Sequence, residues 1–211
     1  MNSNWNAYKE ALLAKMPFLA ETLREGVSES DISSAEAETG ITFPQQLKEL
    51  YLANDGDTHK ALCGMILGFH FLSLESLLYE WRSMKKLAED ADLNDSSRFS
   101  STPEGCIKRR YADMKWLPVC SDDGGNFIGI DLDPDINGTV GQVINFGRDE
   151  HNKTVLAKDL NAFFDRLTRI VNSDDFFIGD YDGEDVVLLG TDDIEEGAYL
   201  TDYLTSEDSV Q

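Results

Sequence analysis

A chain of 211 residues, 41% hydrophobic and 10% aromatic, has the apolar material for one generous domain, or for a domain with an appendage. Its 40 acidic against 18 basic residues give a net charge of −22 and a pI near 4.3. Such a surface repels phosphate backbones, and with Lys108-Arg109-Arg110 as the only basic cluster it argues against direct nucleic-acid binding and for a basic protein partner.

Along the chain, residues 4–25 read as an amphipathic helix on Trp5, Leu12, Leu13, Phe18, Leu19 and Leu23, bent at Pro17. A second helix is expected over 31–39, stopped by Gly40, and a third in PQQLKELYLAN, opened by Pro44 and ended by the turn Asn54-Asp55-Gly56. CGMILGFHFLS has strand-like residues and predicts a strand over about 64–71. SLESLLYEWRSMKKLAEDA repeats Leu74, Leu77, Leu78, Trp81, Met84 and Ala88 at helical spacing, whereas residues 92–105 have no periodicity and read as a mobile loop. Strands follow at 116–120, 126–132 and 141–146, separated by the turn sequences DDGG and DPDINGT. A helix over about 158–172 then aligns Leu160, Phe163, Phe164, Leu167, Ile170 and Val171 on one stripe, with Trp81 and Phe163 expected in the core. Residues 170–211 contain no Lys or Arg; FFIGDY and VVLLG flank Asp182-Gly183 as a hairpin would, and TSEDSVQ reads as a frayed tail.

No stretch approaches the roughly 18 apolar residues of a membrane-spanning helix, and MNSNWNAYKE lacks the basic and apolar regions of a secretory signal, so the expected location is the cytoplasm, with no membrane contact. The aspartates of 121–139, SDDGGNFIGIDLDPDINGT, raise the question of a metal or catalytic site. Asp131, Asp133, Asp135 and Asn137 occupy the first four ligand positions of an EF-hand loop, but Ile136 stands where the loop needs glycine and Gln142 where it needs a bidentate glutamate. Asp122, Asp123 and Asp131 therefore read as turn residues instead of calcium ligands or an acid/base pair. His59, His70 and His151 have no HExxH or H-x-E partner and read as scattered structural or surface histidines. Cys63, Cys106 and Cys120 lack CxxC spacing, which predicts neither disulfides nor a zinc site. No GxSxG elbow or phosphate loop occurs, so the expectation is no enzyme, no cofactor and no metal.

Two stretches, DISSAEAETGITFPQQLKELYLANDG and KWLPVCSDDGGNFIGIDLDPDINGTVGQVINFGRDEHNKTVLAKDLNAFFDRL, together resemble the SUKH superfamily. The first carries Ile32, Glu36, Gly40, Pro44, Leu47, Tyr51 and Asn54-Asp55-Gly56. The second carries Trp116, Pro118, Asp123, Gly124, Gly125, Asp131, Gly141, Val143 and Ala157. The likeness covers about residues 28–172; Phe43 stands where leucine is commoner, and the acidic end after residue 172 is outside the common pattern.

The resemblance implies an α+β fold with a central, mainly antiparallel sheet flanked by helices. A SUKH-like domain would span 1–172, and 173–211 would form an acidic extension with a hairpin packed on it and a short tail. It also implies a binding module. Bacterial members neutralise polymorphic toxins, often nucleases, by occluding them, and fungal members act as regulatory interaction proteins. The leading expectation is an immunity protein that holds a basic toxin domain; the alternative is a regulatory scaffold of cell-wall assembly or signalling, with an enzyme or calcium-binding protein third. The candidate contact residues are Asp55, Asp57, Asp122, Asp123, Asp133 and Asp135.

Overall fold

The computed structural model describes residues 3–206. Helix α1 (Ser3–Lys15) stops before Pro17, which supplies no N–H to the helical ladder, and the chain continues as one 3-10 turn over Pro17–Glu21. Helix α2 (Glu29–Thr39) starts in a capping box between Ser28 and Asp31 and ends at Gly40, whose φ of 66° is left-handed. Helix α3 (Gln45–Ala53) follows directly from Pro44.

The strand expected over 64–71 shrinks to β1 (His70–Phe71). Gly64, Leu67 and Gly68 take φ values of 47°, 45° and 99°, so the preceding residues turn instead of extending. Met65, Ile66 and Leu67 still reach the core, from turns. Helix α4 (Leu74–Ala88) begins where Ser73 caps it and buries Trp81 as expected.

Region 92–105 is more ordered than its composition predicts. It contains β2 (Ser100–Thr102), parallel to β6 (Asn152–Ala157), a strand that periodicity did not reveal. Polar pairing hides both: Asn152 Oδ1 accepts from Ser100 Oγ at 2.8 Å and from Thr102 Oγ1 at 3.1 Å.

The remaining strands, β3 (Trp116–Ser121), β4 (Asn126–Asp131) and β5 (Gln142–Gly147), complete a six-stranded sheet in the order β1-β3-β4-β5-β6-β2, antiparallel except at β2–β6. Pro118 is tolerated inside β3 because β1 pairs only with Cys120 and Ser121 and the ladder to β4 shifts register just after it.

Side-chain alternation sends Leu117, Ile128, Ile130 and Val143 to one face, where α1, α3 and α5 (Leu160–Val171) bring Trp5, Tyr8, Leu50, Phe163 and Phe164. Trp116, Phe127, Ile144 and Phe146 form the opposite face with Leu72, Met84 and Ile107. The C-terminal hairpin is β7 (Phe176–Tyr181) and β8 (Glu184–Leu189), paired as expected. A short helix that the sequence did not announce, α6 (Leu200–Thr205), inserts Leu200 and Leu204 into the main core. The expected tail begins where α6 ends, and its residues 207–211 lie outside the described residues. No helix among the described residues is long and apolar enough to cross a membrane.

Candidate functional site

Pairing of β1 with β3 places His70 opposite Ser121, at the mouth of the β3–β4 turn. The loop after α3 reaches the same place through Gly56, where φ is 74° and an added Cβ would stand 2.5 Å from the Ser73 nitrogen. Only glycine allows that approach. It delivers Asp57, 1% exposed, beneath β1, where Oδ2 accepts from the N–H of Met65 at 3.1 Å and of Phe71 at 2.8 Å. Oδ1 accepts from the N–H of His59 at 3.0 Å and meets His70 Nδ1 at 2.9 Å. Asp57 was expected on an acidic surface; it is an internal anchor whose lone pairs are consumed by backbone donors and one imidazole.

His70 turns its other nitrogen outward. Nε2 lies 3.6 Å from Asp123 Oδ2, and His59 Nδ1 lies 3.3 Å from the same oxygen. The two imidazoles stack with centroids 4.1 Å apart and planes 10° from parallel. His59 and Asp123 both hold positive φ, 52° and 58°, which turns these non-glycine residues back towards β1. Among the described residues, Asp57, His59 and His70 are the group of metal-ligating side chains whose donor atoms all lie within 4.8 Å of one another. The histidines read as scattered in sequence are therefore neighbours. The available signal was the Asp57-Thr58-His59 spacing followed by His70 next to a strand.

Burial by itself would raise the Asp57 carboxyl, but the His70 bond, the backbone N–H groups and the imidazole charge together hold it below the usual carboxylate range. Burial pushes His70 down, and the bond to Asp57 with the charges of Asp57 and Asp123 outweighs it, so His70 is raised. Burial and the charge of Asp123 raise Glu80 nearby. Burial also raises the Cys63 thiol to about 11 and lifts Cys120, so neither is a thiolate nucleophile at neutral pH. The cluster can hold a proton or accept a cation.

Of the other expected contact residues, Asp122 and Asp123 lie at one end of β4, Asp133 and Asp135 beyond the other, and Asp55 beside the start of α4. Asp122 caps the β3–β4 turn, its Oδ1 accepting from Gly124 N–H at 2.7 Å and Asn126 N–H at 2.9 Å. Asp55 accepts from Leu74 N–H at 2.7 Å, at the start of α4. Asp133 and Asp135 lie beyond the far end of β4, where Asp133 pairs with Lys108 and Asp135 accepts from Ile136 N–H at 2.8 Å. Asp131, fully buried, holds Gln142 Nε2 at 2.9 Å and Asp133 N–H at 3.0 Å, and burial raises it to about 6. Gln142, out of place in a calcium loop, thus pairs with the first aspartate of the near-match.

With this geometry in view, residues 26–166 match the model of the SMI1 / KNR4 family (SUKH-1). This chain belongs to that family. It is 26% identical over 205 residues to the cell wall assembly regulator SMI1 of Saccharomyces cerevisiae, covering 78% of this chain and 41% of that protein. It is 34% identical over 148 residues to the cell wall biosynthesis/cell cycle regulator smi1 of Schizosaccharomyces pombe, covering 65% and 29%. A glucan synthesis regulatory protein of Neurospora crassa matches at 26% over 208 residues, covering 83% and 39%. The chain thus spans well under half the length of these relatives.

Proposed function

We propose that this chain is a regulatory protein-binding module of cell-wall and glucan assembly that acts in the cytoplasm and carries out no reaction of its own. The observation that carries this reading is the match of most of the chain to three relatives, each named as a regulator of the wall, of glucan synthesis or of the cell cycle. It favours the regulatory alternative over the immunity reading, as all three are named regulators. The acidic field, −22 over the chain, supports a basic partner in either case and raises the rate of encounter with it. Asp122 and Asp123 face solvent at one end of the sheet and can contribute to that contact, as can Asp133 and Asp135 at the other; Asp57 cannot.

The test exchanges the matching segment of the Saccharomyces cerevisiae regulator for this chain and scores glucan content and growth under wall stress. A chimaera that restores both supports the reading. A chimaera that accumulates as a folded protein yet performs no better than a deletion overturns it.

A further inference from the structure

We propose that His59, His70 and Asp123 bind one divalent transition-metal ion of the zinc class, with buried Asp57 as the outer partner that orients His70. The reason to expect a metal lies in how the loop after α3, strand β1 and the β3–β4 turn converge. The inference is independent of the regulatory reading.

A histidine that ligates zinc usually donates its second ring N–H to a carboxylate or carbonyl, which fixes the tautomer and aims the free nitrogen. His70 has this arrangement: Nδ1 is 2.9 Å from Asp57 Oδ1, and Nε2 points out towards Asp123. Asp57 is itself immobilised by three backbone N–H groups, those of His59, Met65 and Phe71. Bonds of about 2.0–2.1 Å at a tetrahedral centre place neighbouring donor atoms about 3.3 Å apart. Asp123 Oδ2 lies 3.6 Å from His70 Nε2, close to that spacing, and 3.3 Å from His59 Nδ1; the His59 and His70 donors on either side of it do not yet converge, because the group whose donor atoms already lie within 4.8 Å of one another is Asp57, His59 and His70.

Closing the set requires the His59 ring to leave its stack on His70 and turn Nδ1 inward. That movement is open to it, because its side chain is 33% exposed and that of Asp123 is 56% exposed, while His70 at 9% stays fixed. Two imidazoles and one carboxylate are the ligands of a borderline ion such as Zn²⁺ or Co²⁺; calcium takes oxygen shells of six to eight donors. Three protein ligands leave one position to water, as in open zinc sites. The surrounding negative charge, Asp57 and Glu80 included, favours a cation over any anion at this point.

The experiment uses the full, tag-free chain, stripped with chelator and dialysed, and titrates it with Zn²⁺ by calorimetry and with Co²⁺ by visible absorption. The expected result is one saturable site per chain, d–d bands of a low-coordinate nitrogen/oxygen site, and no displacement by excess calcium. His59→Asn and Asp123→Asn each weaken binding by about tenfold or more, as loss of a ligand or its partner does. Asparagine tolerates the left-handed backbone at both positions, so at a pH above the His70 titration, where the charge of Asp123 no longer stabilises an imidazolium, both variants should keep the metal-free melting curve of the wild type. Absence of saturable binding, displacement of the ion by calcium, or binding that survives both substitutions would overturn the site.

Discussion

The two ends of β4 carry similar sequences and opposite physics. At one end, SDDGG makes a turn whose first aspartate, Asp122, satisfies the backbone and whose second, Asp123, points at two histidines from elsewhere in the chain. At the other, each aspartate of DLDPDINGT is taken up by a partner that is no metal ligand: Asp131 by the Gln142 amide, Asp133 by the Lys108 ammonium and Asp135 by the next N–H, leaving Ile136 and Val140 outermost at 91% and 67% exposed. Aspartate content therefore does not locate a site. What locates it is whether the carboxylates meet fixed backbone donors or side chains that can exchange a proton or a ligand.

Substitutions at the two ends should separate these roles. The largest effect is expected for Asp57→Ala, which strands three backbone donors and a buried imidazole; removing one member of a buried pair costs about 3–5 kcal/mol, measurable by urea unfolding. Asp131→Ala should cost less, about 1–3 kcal/mol, for the unpaired Gln142 amide and Asp133 N–H. Its cost should also depend on pH. The folded state raises Asp131 to about 6, above its unfolded value, so the stabilisation it contributes is complete below about 4 and is lost as pH rises through 6. Asp131→Ala should therefore be more damaging at pH 5 than at pH 7, and equal damage at both would remove the buried-acid account of that end. The smallest effect belongs to Asp133→Asn, which breaks a partly exposed pair with Lys108 and should change stability by about 1 kcal/mol or less.

Much of the fold was legible because helix periodicity and caps are local. The helices α2 to α5, the three central strands and the terminal hairpin follow from apolar spacing, with Gly40 and Pro44 as edge signals; the caps Ser28 and Ser73, and the start of α2 at Glu29 ahead of the expected 31, emerge only in the structure. What escaped depends on distant partners. Strand β2 exists because Asn152 meets Ser100 and Thr102, fifty residues away in sequence, and α6 because Leu200 and Leu204 find a core already built. The candidate site escaped for the same reason. Asp123 and His59 are 64 residues apart, and only the pairing of His70 with Ser121 brings them together. Asp57 reads as a candidate contact residue because sequence does not show that Gly56 lets the chain pass under β1.

The claim on which the site rests is that His70 is held between a buried carboxylate and an exposed one, and a histidine titration followed by NMR in the presence of chelator tests it directly. His70 should titrate above the ordinary histidine value of about 6.5, and Asp123→Asn should lower it by removing one of the two charges that raise it. The corresponding stabilisation is complete below about 6.5 and is lost as pH rises through the higher folded value. A His70 that titrates at or below the ordinary value, or one indifferent to Asp123→Asn, would contradict the geometry and the site built on it.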